Sequence, residues 1–334
     1  MTRALFPAIL IDWFNIPGSG LLQLKSLLFL TACAACLWPG INAPIALAAG
    51  IAFALLLGNP FAVQVGKISG LLLKTCVVGL GFGLPLATVV SAGTTGLWVT
   101  GIGVLAILAS GFLLARLFAL DSQCGSLISA GTAICGGSAI AAVAPVIGAR
   151  AEAISMSMAC VFILNALALY LFPWLGGMLD LSQSQFATWA AIAIHDTSSV
   201  VGAAATYGDQ ALAEATVLKL ARALWIVPLV IGFMLLARRD EGHAGRITWP
   251  LFVALFVLAA GLRSLLPSLE GQFDMLAGAA RRGLVLTLFL IGSGLGLPML
   301  KSLGWRPMAH AALLWLLVSS ATLLIVISGV LPVY

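Results

Sequence analysis

Gly131-Thr-Ala-Ile-Cys-Gly-Gly-Ser-Ala-Ile-Ala-Ala-Val-Ala-Pro145 is a run of small and apolar residues interrupted by a glycine pair. It lies within the uncharged stretch 125–147, which is near the ~20 residues that a membrane-crossing helix needs. Gly136-Gly137 weakens the helix at mid-segment, with Thr132 and Ser138 on either side. An unwound stretch frees backbone N–H and C=O groups, and a bilayer tolerates those only inside protein or beside a cavity. A half-helix starting near Gly137 and Ser138 would offer free amides and partial positive charge to an anion. Thr132, Cys135, Gly136, Gly137 and Ser138 therefore form the first candidate substrate-binding group. The competing reading is close helix packing through small residues.

Outside this stretch the composition agrees with a bilayer. Of 334 residues, 62% are hydrophobic and 8% are charged, with mean hydropathy +1.15, whereas a soluble domain carries about 25% charged residues. The formal charge of +5 sits in short loops, which is the positive-inside pattern. No basic run with interleaved aromatics occurs, so nucleic acid is not an expected partner. Six Cys are present, and Cys33-Ala-Ala-Cys36 has CxxC spacing. It lies in an apolar run without a βαβ context, so these thiols read as small buried hydrophobes. No Walker loop, HExxH or dinucleotide fingerprint in a βαβ unit is present. The chain is expected to be no enzyme and to need no cofactor.

Eleven apolar segments can be marked: 26–38, 44–57, 71–90, 97–115, 125–147, 153–175, 186–205, 215–236, 248–264, 283–300 and 308–330. They are continuously apolar rather than alternating, which favours helices over a barrel. The expected fold is all-α, a polytopic bundle of ten or eleven spans with broken crossing helices. Residues 1–24 read as an interfacial arm, and 25–334 as one transmembrane domain. If all eleven segments cross, ten basic residues fall on the side of the N-terminus and four, including Arg150, on the other. That predicts a cytoplasmic N-terminus. Gly81-Phe-Gly-Leu-Pro-Leu86 is echoed by Gly294-Leu-Gly-Leu-Pro-Met299, so 71–118 and 283–330 are read as repeat-related. An odd number of intervening segments makes the repeats inverted, as in secondary transporters.

The candidate core comprises 125–147 and 186–236. Within the latter, His195-Asp196-Thr197-Ser198-Ser199 is a polar run inside an apolar segment, costly unless paired or hydrated. Asp196 is expected to bind H⁺ or Na⁺ or to cap the next half-helix, and His195 to exchange protons. His195, Asp196 and Thr197 are the ion-coupling candidates, with a Na⁺ site near Asp196 left open, while Ser198 and Ser199 join the substrate group. Lys219 and Arg222, three apart, share a helix face. Either they supply positive charge to an anion cavity, or Lys219 snorkels to the interface and Arg222 pairs with a carboxylate such as Asp196. Arg150 and Glu152 read as a surface pair at a segment end, and Asn165 as a bond between helices.

These residues also carry a resemblance. Gly131 through Ile147, Ile194-His-Asp-Thr197, Val217-Leu-Lys-Leu-Ala-Arg222 and Gly304-Trp-Arg-Pro307, in that order, resemble the YeiH-like or UPF0324 family of bacterial membrane proteins, labelled sulfate exporters. The resemblance spans about residues 25–330. It implies a multi-pass inner-membrane secondary transporter for sulfate or a related sulfonate or carboxylate, coupled to H⁺ or Na⁺. It further implies a fold similar to the bile-acid-symporter and sodium–proton-antiporter group. The family is expected to carry a basic residue near Gly83 and Gly296, and glycine stands at both here, so no charge is carried over. An uncoupled channel, or an intramembrane enzyme or sensor built on His195 and Asp196, remains the alternative, and a homodimer is one open assembly.

Overall fold

The computed structural model describes residues 20–237, 251–296 and 303–329, and the described residues are helical with no strand. In chain order the helices are α1 (Gly20–Ala35), α2 (Ala43–Leu56), α3 (Ala62–Gly81), α4 (Leu86–Leu117), α5 (Ser122–Ala133), α6 (Gly137–Val143) and α7 (Ala151–Met178). Then follow α8 (Gln183–Ala193), α9 (Thr197–Tyr207), α10 (Asp209–Ala223), α11 (Ile226–Ala237), α12 (Leu251–Leu265), α13 (Glu270–Ser293) and α14 (Trp305–Ile327). Helix α1 begins at Gly20, so residues 20–24 of the expected arm are helical, and 1–19 lie outside the described residues.

Both interrupted segments break where glycine and polar residues sit. Helix α5 ends at Ala133 and α6 starts at Gly137, while α8 ends at Ala193 and α9 starts at Thr197. The path through each break differs from the expected crossing. Gln123 at the start of α5 donates to the Gly148 carbonyl beyond α6 at 3.1 Å and accepts from the Arg150 amide at 3.0 Å. A straight helix of that length would separate these residues by more than 30 Å. Likewise the Tyr207 hydroxyl donates to the Leu181 carbonyl at 2.6 Å, and Gln183 accepts from the Gln210 amide at 3.0 Å. Each segment enters, turns and returns: α5–α6 and α8–α9 are re-entrant hairpins. Fold-back at the first turn rests on Gly136, whose φ of +62° and ψ of −123° favour glycine.

Helix α7, at 28 residues, is about 42 Å long and joins the hairpins. The first hairpin's base lies at its start, where Ser157 meets Cys124. The second's lies at its end, where Phe186 and Tyr207, stacked at 3.9 Å, pack on Gly176. The hairpins therefore enter from opposite ends of the bundle. Their turns meet at the middle of α7: Gly136 packs on Val161 and Asp196, Gly137 on Phe162, and Asn165 bonds the second turn.

Among the described residues six helical stretches are long and apolar enough to cross a membrane, including 209–236 across α10 and α11, and three apolar helices are shorter. With two segments re-entrant, nine of the eleven marked segments are left as candidates to cross, fewer than the ten or eleven expected. Helices α3 and α13 run antiparallel, since Cys76 faces Gly283 and Gly79 faces Ala280. Much of the second repeat's Gly-x-Gly-Leu-Pro turn lies outside the described residues. Packing divides into two units. The larger core surrounds the hairpins. The smaller centres on Phe29, Phe53, Phe61 and Phe289 of α1, α2 and α13 and the α2–α3 turn. There α2 and α13 touch backbone to backbone: a Cβ at Gly50 would stand 2.2 Å from the Phe289 carbonyl oxygen, so glycine is required.

Candidate functional site

The two turns meet where Gly136 packs on Asp196, and Arg222 bonds the Thr132 and Ala133 carbonyls of one segment and the Ala191 and Ile192 carbonyls of the other, so the two candidate groups from sequence lie side by side. What holds them is α10. Four carbonyls at the end of a helix lack intrahelical donors, and here two such ends point into the protein interior. Arg222 donates through Nε to the Ala133 carbonyl at 2.6 Å and through Nη2 to Thr132 at 2.9 Å. Its Nη1 bonds the Ala191 carbonyl at 3.3 Å and the Ile192 carbonyl. Lys219 Nζ donates to the Ile194 carbonyl at 2.8 Å and to Ala191 at 3.3 Å. One cationic helix face thus closes the C-terminal ends of α5 and α8 together.

This corrects the bland expectation for both residues. Lys219 is 0% and Arg222 1% exposed, so Lys219 does not snorkel, and Arg222 bonds carbonyls rather than Asp196. Partial negative charge at a helix C-terminus attracts cations, and the i, i+3 spacing lets one helix serve two ends. Arg150 likewise pairs with Asp121 at 3.0 Å, closing the first hairpin's base, and not with Glu152.

Asp196 caps α9: its Oδ2 accepts from the Ser198 amide at 3.0 Å and from the Ser198 hydroxyl. The carboxylate therefore occupies the Ser198 amide, which a bound anion would otherwise have used at that helix start. Asn165 of α7 accepts from the His195 and Asp196 amides at 3.0 and 3.3 Å, the interhelical bond expected of it. Thr197 and Ser199 are buried in the first turn of α9. Cys135 is buried with its sulfur against the Ser138 hydroxyl and the Ala139 amide. Asp196 is half-buried and Ser138 exposed, so the site is open at these two side chains. Both ring nitrogens of His195, Thr132 Oγ1 and Asn165 Nδ2 are buried without a partner among the described residues. Buried polar groups are normally bonded, so this is where a ligand or proton would be engaged. Among the described residues no three His, Cys, Asp or Glu side chains converge as a metal cradle.

Glu214 was not among the site candidates from the sequence. It is 6% exposed, and Oε1 accepts from Ser184 and Gln210, each at 2.9 Å. Its signal was a carboxylate at the edge of an apolar segment, five residues before Lys219.

Comparison with known proteins gives the family. The family profile described as conserved hypothetical protein 698 matches residues 23–311. A UPF0324 membrane protein of Geobacter sulfurreducens is 46% identical over 295 residues, covering 88% of this chain and 94% of its own length. One from Bdellovibrio bacteriovorus is 42% identical over 310 residues, covering 92% and 95%. The chain belongs to the UPF0324 family of membrane proteins. No solved structure matches it.

Proposed function

We propose that the chain is a secondary transporter of a small organic or inorganic anion, driven by co-transport of H⁺ or Na⁺ across a bacterial inner membrane. The observation that carries this is the pair of hairpins entering from opposite ends and meeting at mid-depth beside two buried cations. Discontinuous helices with ends at the midplane suit alternating access to one site.

The charges give the coupling its sign. Lys219 and Arg222 contribute two positive charges. Asp196 contributes one negative charge, and the two helix C-termini roughly one more between them. With Asp196 ionised the site is near balance and attracts an anion weakly. A proton or Na⁺ at Asp196 leaves roughly one positive charge uncompensated in a low-dielectric interior, where it is felt strongly. Cation and anion then bind together, which is symport. The unpartnered His195 ring, the Thr132 hydroxyl and the Asn165 amide are the groups that would contact the anion, with Ser138 at the approach. Lys219 and Arg222 act through their field rather than by direct contact.

Because both hairpins return to the end they entered, Arg150 joins Arg116 on the majority-basic side. The positive-inside rule then favours a cytoplasmic N-terminus more strongly than a count of eleven crossings does. Flux of labelled sulfate and sulfonates into proteoliposomes under imposed H⁺ or Na⁺ gradients tests the proposal. Gradient-driven accumulation is expected, and no anion flux in a monodisperse preparation would sink it. Uncoupled conduction is the second reading, since Asp196 and Ser138 are reached without any hairpin movement. It predicts flux that follows the anion gradient alone.

A further inference from the structure

A cavity of about 510 Å³ lies between α9 of the second hairpin and α2 and α13 of the smaller packing unit. Arg281 and Arg282 of α13 and Asp209 at the start of α10 line it at one end, while Val201, Leu284 and Leu288 are among its apolar walls. Arg281 bonds Asp209 at 2.7 Å. Arg282 uses only Nη1, which donates to the Trp38, Pro39 and Ile41 carbonyls at 3.5, 3.2 and 3.5 Å. Among the described residues Arg282 meets no carboxylate, so its charge and the rest of its fork are open to an oxyanion, which guanidinium binds in bidentate fashion.

We infer that this cavity binds an organic anion with a compact oxyanion head and a short unbranched apolar body, such as an alkanesulfonate, in preference to inorganic sulfate. Size and lining carry the inference. The volume lies in the ~300–1,000 Å³ range of small-molecule sites, which are largely apolar with a few placed polar groups. A bare tetrahedral dianion would leave the walls at Val201, Leu284 and Leu288 uncovered, whereas an alkyl body covers them while the head reaches Arg282. Val201 lies five residues along α9 from Asp196, roughly 7–8 Å along the helix axis, so the cavity is walled by the same helix that Asp196 caps. Head binding draws on Arg281 as well and competes with Asp209, the ion pair that ties the second hairpin's exit to α13. As a statement about substrate the inference rests on the transporter reading, but as a statement about binding it does not.

Equilibrium binding to the full chain in neutral phosphatidylcholine nanodiscs tests it, by calorimetry with sulfate and with linear alkanesulfonates of one to six carbons. Affinity is expected to rise about two- to fourfold per methylene until the walls are covered, with sulfate weakest. Arg282→Gln should weaken every sulfonate at least tenfold. Ala205→Trp, which narrows the cavity and keeps both arginines, should weaken the long sulfonates most and also guards against Arg282→Gln acting through misfolding. Arg263→Gln, which removes a basic residue outside the cavity, should change nothing. Affinity independent of chain length, sulfate binding as tightly as the six-carbon sulfonate, or indifference to both cavity variants would overturn the inference. So would an Arg282-dependent phospholipid that co-purifies and blocks all sulfonates. Failure of gradient-driven flux with the binding series intact would overturn the transporter reading and leave this site standing.

Discussion

Asp196→Asn removes one negative charge from the meeting point of the hairpins and leaves the side-chain shape nearly unchanged. Its structural work is capping, through the bonds from the Ser198 amide and hydroxyl. Asn caps helices about as well as Asp, so the substitution should alter stability by only a few tenths of a kcal/mol, whereas Asp196→Ala should cost ~1 kcal/mol. Transport should respond in the opposite proportion. If one proton rides with each anion through Asp196, a pH difference of one unit supplies about 1.4 kcal/mol, or at most tenfold accumulation. In proteoliposomes acidic outside and alkaline within, the native chain should approach that limit with any anion it carries. Asp196→Asn should lose the accumulation while keeping anion exchange, because a permanently neutral side chain fixes the site in its anion-ready charge state. The same comparison under a Na⁺ gradient decides between the two cations. Undiminished accumulation by the Asn variant would refute the coupling role. Equal loss of stability in the Asn and Ala variants would refute the capping argument.

Arg222→Met should leave the Thr132, Ala133 and Ile192 carbonyls of two helix ends without a donor, while Ala191 keeps Lys219, at about 1–3 kcal/mol each. That is enough to abolish folded protein, while Arg222→Lys keeps the charge and should lower thermal stability without abolishing folding, as read by size-exclusion after heating. Gly136→Ala forces a Cβ into a backbone conformation that favours glycine and should cost on the order of 1–3 kcal/mol, with transport lost even where folded protein is recovered. Gly50→Ala should separate α2 from α13 and destabilise. By contrast Gly103→Ala, whose Cβ would meet nothing within 4 Å, should stabilise by roughly 0.5–1 kcal/mol through helix propensity; the same thermal assay reports both. Single cysteines at Asp121 and Arg150 should label from one face of sealed vesicles and those at Leu179 and Asp209 from the other. Labelling of positions 121 and 150 from opposite faces would exclude the first hairpin.

The breaks were legible because their causes are local: a glycine pair in one segment and a polar run in the other. Fold-back was not, since a re-entrant hairpin and a crossing helix have the same length and composition. What separates them is the bond from Gln123 to the carbonyl at 148, a partner 25 residues away. The cationic face of α10 was visible in the i, i+3 spacing of Lys219 and Arg222. Its partners were not, because backbone carbonyls leave no mark in a sequence and a nearby carboxylate is the more obvious match. The Arg281–Arg282 cavity was hidden for a related reason. Its walls come from α2, α9 and α13, which are far apart in the chain and meet only in the packed bundle.

Arg222 follows the carbonyls it engages in the first hairpin by 89 and 90 residues. At roughly 5–20 residues per second, the ribosome needs some seconds to supply that guanidinium after the hairpin has been made. Until then the tip carries unbonded carbonyls that hydrocarbon cannot accept. A nascent chain halted short of Arg222 should hold its first hairpin outside the lipid core or in the keeping of the insertion machinery. Synthesis of α10 would then be the event that admits both hairpins to the bilayer.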